Sequence, residues 1–294
     1  MWRVCLLLFL CACGRMSHGT SARGIVKPID VIIPCAYKDM ETLPLCITGV
    51  KKYGEGVRRV IVISKDCLTD QAEWVNEGKF SFTKEDVARA IFENENDASA
   101  FLKSPRTRIG WIFQQLLKLY AFNTIPDLLD DVLILDADTI FINPTRFFDG
   151  EGKPIYNINK EIYPAYMPHA KRLLPSLELS ETSNSGIAHC MLFHRSVMAA
   201  IFGEIEACHG KELWRAFCQC IDLHYVYNSC ASEYEIYYHY LLTKKIPISH
   251  KHLRWRDISH LGALSRYKRL QFNFVSCHAY LREERLMKNL LRDV

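Results

Sequence analysis

The sequence predicts an α/β fold with a mostly parallel central sheet and helices on both faces. Three observations carry this expectation. The runs at residues 29–34, 57–64 and 132–135 are short, rich in β-branched residues and apolar over most of their length, which is how strands covered on both faces read. The first two flank a segment of helical spacing that stops at Gly54 and Gly56, giving a β-α-β unit with a right-handed crossover. The third run ends abruptly in Asp136 and Asp138, just where open α/β sheets collect their ligands.

Taken in order, Ile29-Asp30-Val31-Ile32-Ile33-Pro34 is the first strand, closed by its proline. Residues 39–53 form the first helix, and 57–64 the next strand. Residues 83–102 read as one peripheral helix with a thin apolar face, opened by Thr83 and Asp86 as a capping box. Residues 109–122 are apolar on most sides, so that helix is largely buried. Lys118 in its middle either snorkels to solvent or faces a phosphate. After the strand at 132–135, residues 141–144 run extended and turn, 154–157 are a short strand, and 163–179 are loop with helical pieces. Asn184-Ser185-Gly186 introduces a buried strand over 187–193, its glycine allowing close approach of backbone or ligand. Residues 195–221 are one long or two short helices broken at Gly210, and 232–242 are a helix capped by Ser232 with Glu233 and Glu235 in its first turn. Late strands fall at 246–248 and 272–278. No repeat or low-complexity segment is present.

Residues 1–24 have the layout of a secretory leader: Arg3, an apolar run from Val4 to Cys13, then a small, polar stretch. The run is short for a permanent anchor, so the expectation is an exported protein that touches membrane only if the leader is retained. Leu10-Cys11-Ala12-Cys13 also faintly resembles a lipoprotein box, and a cytosolic extension is the remaining alternative. Residues 25–294 are expected to be a single domain. The net charge of +4 is small and its cations are scattered, which does not indicate a nucleic-acid partner. There is no Gly-x-Gly-x-x-Gly after the first strand and no Walker-type loop. The cysteines beyond the leader are odd in number and irregular in spacing, and Cys218-Gln219-Cys220 is too tight for a zinc knuckle. On export, a disulfide or two among Cys208, Cys218, Cys220 and Cys230 remains open.

The chemistry centres on Asp136-Ala137-Asp138. Residues two apart in an extended chain point the same way, and two converging carboxylates repel unless a cation lies between them. Alone, such a pair equally marks a turn or helix cap. His278 is read as a late ligand or a core histidine, and Glu233 and Glu235 as functional carboxylates or helix-start charges. His189 and His194 are read as structural. Trp255 and Tyr237 suit sugar stacking or the core. A hard divalent cation bound to a nucleotide diphosphate takes a few carboxylate oxygens from protein, and imidazole suits manganese as an additional ligand.

Gln115-Leu116-Leu117-Lys118-Leu119-Tyr120-Ala121-Phe122, followed by Val132-Leu133-Ile134-Leu135-Asp136-Ala137-Asp138-Thr139 and by Asn184-Ser185-Gly186-Ile187, resembles the motifs of GT-A glycosyltransferases. The likeness is to glycosyltransferase family eight, the glycogenin-like and galactosyltransferase-like enzymes, and their uncharacterised bacterial-type relatives. It implies a GT-A fold and transfer of a sugar from a nucleotide-diphosphate sugar, a UDP-sugar above all, to a hydroxyl on a glycan, protein or lipid, with Mn2+ or Mg2+. By that resemblance Asp138 is the principal metal ligand, Asp136 reaches the metal or the donor ribose, and His278 is the late metal ligand. Lys118 contacts the donor phosphates, Tyr37 lies near the base, and Asn184, Ser185 and Gly186 line the sugar side. Glu233 or Glu235 positions the acceptor or acts as a base. The family's Gly and Lys-Pro-Trp after the histidine are missing here, and its Asp-Gln-Asp is replaced by Ser232-Glu233-Tyr234-Glu235. The alternatives are a nucleotidyltransferase of similar fold and an inactive exported carbohydrate-binding protein.

Overall fold

A computed structural model describes residues 26–157, 160–178 and 185–283. The leader and Asn184 lie outside the described residues. The chain begins β1 (Ile29–Pro34), α1 (Leu43–Tyr53), β2 (Val57–Ser64) and β3 (Glu73–Asn76). Four helices follow, α2 (Lys84–Phe92), α3 (Glu95–Lys103), α4 (Ile109–Leu119) and the short α5 (Ala121–Thr124). Next come β4 (Asp131–Leu135), β5 (Thr139–Phe141), β6 (Ile155–Asn157), α6 (Tyr166–Leu173) and β7 (Cys190–His194). The last third holds α7 (Arg195–His209), α8 (Leu213–Gln219), α9 (Glu233–Thr243), β8 (Ser249–Lys251), β9 (Trp255–Asp257), α10 (Leu264–Arg269) and β10 (Phe274–Ser276).

The central sheet has the order β3-β2-β1-β4-β7. It is parallel from β3 through β4, and β7 pairs antiparallel with β4. The sheet is therefore mixed but mostly parallel. Alternate residues serve opposite faces: Ile32, Ile61, Ile63, Val132 and Ile134 join the core under α2, α4 and α7–α9, while Val31, Ile33, Val60, Val62, Leu133 and Leu135 pack against α1. Burial on both faces explains why these strands read as apolar runs rather than alternating ones. A smaller sheet, β5-β10-β9, lies beyond the carboxyl end of β4.

The region 83–102 differs from its expected single helix. The Thr83–Asp86 capping box is present, but Glu93 turns left-handed at φ 54° and Asn94 starts a second helix. Nor is it peripheral, since Val87, Ala88 and Phe101 are fully buried. Gly210, at φ 63°, divides α7 from α8. The strand expected at 246–248 forms three residues later as β8, against β6. All nine cysteines of the described residues are free, so no disulfide joins Cys208, Cys218, Cys220 and Cys230. No helix among the described residues is long and apolar enough to cross a membrane.

Candidate active site at the end of the central strand

Two strand pairings assemble the site from distant parts of the chain. Antiparallel pairing of β4 with β7 sets Leu135 opposite Cys190, and the Asp136 amide donates to the His189 carbonyl at 3.0 Å. Antiparallel pairing of β5 with β10 sets Thr139 opposite Ser276, while β9 places Asp257 beside Ser276 on the other edge. The residues just past these pairs, Asp138 and His278, meet there. His278 Nδ1 lies 2.7 Å from Asp138 Oδ2, the Ser276 hydroxyl donates to Asp138 Oδ1 at 3.2 Å, and the Cys277 amide donates to the Asp138 carbonyl at 2.9 Å. Thr139 N donates to Asp136 O at 3.0 Å, so the Asp-x-Asp segment is also a turn, with its side chains committed elsewhere.

On its far side the His278 ring presents Nε2 to Asp257 Oδ1 at 3.3 Å, and His189 Nε2 stands 3.9 Å from the same oxygen. Burial opposes charge on His278, yet Asp138 and Asp257 outweigh it and hold the imidazole up at about 10. Burial likewise works against the Asp138 carboxylate, but the His278 bond and charge pull it down to about 2. An imidazolium thus sits between two carboxylates. His189 is pushed down from its ordinary value by burial and then by the neighbouring His278 charge.

Asp136 has a different partner. Lys118 Nζ donates at 2.6 Å both to Asp136 Oδ1 and to Glu233 Oε1, and lies 4.4 Å from the centre of the Tyr234 ring. Lys118 is only 2% exposed and Glu233 1%, which overturns the snorkelling reading. Burial disfavours both charges: it raises Glu233, while for Lys118 the two carboxylates prevail and hold the ammonium above its ordinary range. The Glu233 amide is itself bonded to Gln115 Oε1 at 3.0 Å, which fixes the start of α9 against α4.

Ser185 and Gly186 face α9 and not the cavity. The Ser185 hydroxyl donates to Glu235 Oε1 at 2.6 Å and the Gly186 amide to Oε2 at 2.7 Å. A Cβ on Gly186 would stand 2.7 Å from the Tyr234 carbonyl and 2.8 Å from Tyr238 Cβ, so this glycine admits backbone. Ile187 and Ala188 line the cavity in their place.

That cavity has a volume of about 540 Å3, and Asp136, Asp138, His189, Trp255, Asp257 and His278 are in its wall. A neighbouring one of about 290 Å3 opens at the end of β1 over Cys35 and Ala36, and the two share Lys38, Arg108, Trp111 and Gln114. Tyr37 borders neither: it is 62% exposed and donates to Asp66 at 2.7 Å. Arg108 Nε is buried without a hydrogen-bond partner among the described residues. Trp255 packs parallel to Phe274 and keeps an edge on the cavity, whereas Tyr237 stacks on Phe193 inside the core.

Sequence reasoning missed His189, Asp257 and Arg108. His189 followed from its own strand entrance, yet a lone histidine there looks structural. Asp257 sits on a three-residue strand whose pairing has no local signal. The donor set of carboxylates and imidazoles suits a divalent cation, and the imidazolium already occupies the position of positive charge between Asp138 and Asp257. A comparison with curated proteins returns no match. A family model described as a family of unknown function, DUF6492, matches residues 27–267, ending short of Ser276 and His278. With most of its length matched, the chain belongs to the DUF6492 family.

Proposed function

We propose that the chain is a metal-dependent glycosyltransferase of GT-A type that moves a sugar from a nucleotide-diphosphate sugar, a UDP-sugar in the first instance, to a hydroxyl acceptor. The observation that carries this reading is the 2.7 Å contact of Asp138 with His278, 140 residues apart, in the wall of a large cavity at the carboxyl end of the central strand. Such crevices beyond strand ends are where α/β sheets bind nucleotides.

Asp138 and Asp136 would hold the divalent cation, with the His278 ring bonded through Nδ1 to Asp138. When bound, the cation neutralises charge that builds on a departing diphosphate. The cavity at the end of β1 suits the base and ribose. Arg108 and Lys38, in the shared wall, supply positive charge toward the phosphates, since Lys118 is bound to two carboxylates. Glu233 holds Lys118, and through it Asp136, in place. Trp255 offers an apolar edge to the sugar.

Calorimetry with UDP and Mn2+ and a screen of nucleotide sugars for Mn2+-dependent hydrolysis test the reading. Mn2+-dependent UDP binding is expected, and Asp138→Asn should cost roughly 10²–10³-fold in turnover with an unchanged circular dichroism spectrum. Absence of Mn2+-dependent UDP binding, or full turnover by the variant, overturns it.

A further inference from the structure

We propose that His189, Asp257 and His278 form a second divalent-metal site, of transition-metal character and loaded without nucleotide, in which Asp138 orients His278 instead of binding the ion. The donor atoms of these three residues all lie within 4.8 Å of one another. Donors about 2.0–2.2 Å from a common metal stand about 3 to 3.5 Å apart when adjacent. The 3.3 Å between His278 Nε2 and Asp257 Oδ1 meets that spacing, and His189 Nε2 lies just outside it, 3.9 Å from the same oxygen.

Behind the cluster stands the feature that distinguishes a built metal site from a chance group. His278 turns Nε2 to the cluster while Nδ1 bonds Asp138 at 2.7 Å, and Asp138 is itself held by Ser276. Carboxylate, imidazole and metal in series is the usual way a ligating histidine is oriented and made more basic. His189 is fixed by ring packing against Trp255, with centroids 4.5 Å apart, and its Nε2 makes no hydrogen bond among the described residues, its near contact being Asp257. Two imidazoles and one carboxylate favour Zn2+ or Co2+ over Mg2+, which prefers oxygen. On binding, the Nε2 proton of His278 passes to solvent and the nitrogen lone pair goes to the metal. Three protein ligands leave an open position, and all three residues line the 540 Å3 cavity, the arrangement of a reactive rather than a closed structural site.

The test is equilibrium dialysis of the full chain against Zn2+, Co2+ and Mg2+ without nucleotide, with bound metal counted and melting followed by circular dichroism. One tightly held Zn2+ or Co2+ per chain and a raised melting temperature are expected, with Mg2+ giving neither. His189→Gln and Asp257→Asn should each weaken binding at least about tenfold, and Asp138→Asn about 10–100-fold. The exposed thiols of Cys67 and Cys208 are common to all these proteins, so only differences between them count. In the native protein, needing no variant, Co2+ should shift the ring resonances of His189 and His278 ahead of those of other histidines. Unshifted resonances, or His189→Gln and Asp257→Asn binding as the native chain does while Asp136→Asn and Asp138→Asn abolish binding, would place the ion in the Asp-x-Asp pair and overturn the proposal. Because no nucleotide is present, failure here leaves the UDP and Mn2+ experiment to stand or fall on its own.

Discussion

Replacing Lys118 by methionine keeps an unbranched, buried side chain and deletes its charge. Lys118 Nζ is 2.6 Å from both Asp136 and Glu233. The variant leaves Glu233, 1% exposed, facing Asp136 with no cation between them. Removing one partner of a buried ion pair typically costs about 3–5 kcal/mol, because the desolvated charge that remains is uncompensated. For a chain of this size that is a fall of roughly 6–20 °C in melting temperature. The sign of the pH dependence follows from Glu233, whose carboxyl burial already raises above its ordinary 4.5. A carboxyl raised in the folded state contributes stability below its unfolded value and loses it as pH rises through the folded one. Without Lys118 that rise becomes larger, so the deficit of Lys118→Met should be smallest near pH 4.5 and grow toward pH 8. Adding Glu233→Gln should restore part of the loss at pH 8, a coupling that a double-mutant cycle reads directly. Urea titrations of the four proteins at three pH values are sufficient. A Lys118→Met variant within 1 kcal/mol of the native protein, or one whose deficit does not vary with pH, would refute a charged, buried Lys118–Glu233 pair.

Gly186→Ala tests the packing role of the strand entrance: with a Cβ 2.7 Å from the Tyr234 carbonyl, overpacking should cost about 1–3 kcal/mol in urea, and an unchanged midpoint would mean that α9 yields freely. His169 is fully buried, with Nε2 3.0 Å from the Phe217 carbonyl, and burial pushes it down to about 4 from 6.5. The folded state thus stays neutral where the unfolded chain takes up a proton, so stability should fall by about 3 kcal/mol as pH drops from 6.5 to 4. His169→Gln should remove that slope, and parallel stability profiles of the two proteins across this range would contradict it. Arg108→Ala should weaken UDP binding about tenfold or more, as loss of a charge-assisted contact does, leaving the melting temperature within a few degrees; equal UDP affinity would remove Arg108 from the phosphate side.

The apolar strands β1, β2 and β4, the capped start of α2, the break at Gly210 and the Asp-x-Asp at the end of β4 were all legible in the sequence. Each is a local pattern whose cause lies within a few residues: side-chain periodicity, a cap, a turn. Two burdens on the sequence reading were not local. Lys118 could be assigned to solvent or to phosphate because nothing within α4 shows Glu233, 115 residues away, closing over it. Ser185 and Gly186 could be assigned to a ligand because a glycine that admits backbone and one that admits a ligand look the same in a string of letters.

The sequence by itself determined the kind of fold, the strand that carries the carboxylates and the identity of Asp138 and His278 as residues of interest, since hydrophobic period and residue chemistry are properties of short stretches. The tertiary structure alone decided that β7 runs antiparallel to β4, which brings His189 beside Asp136, and that β9 and β10 carry Asp257 and His278 to Asp138. Strand direction and register across such separations depend on which pairing buries both faces of the sheet at once, and no local pattern encodes that choice.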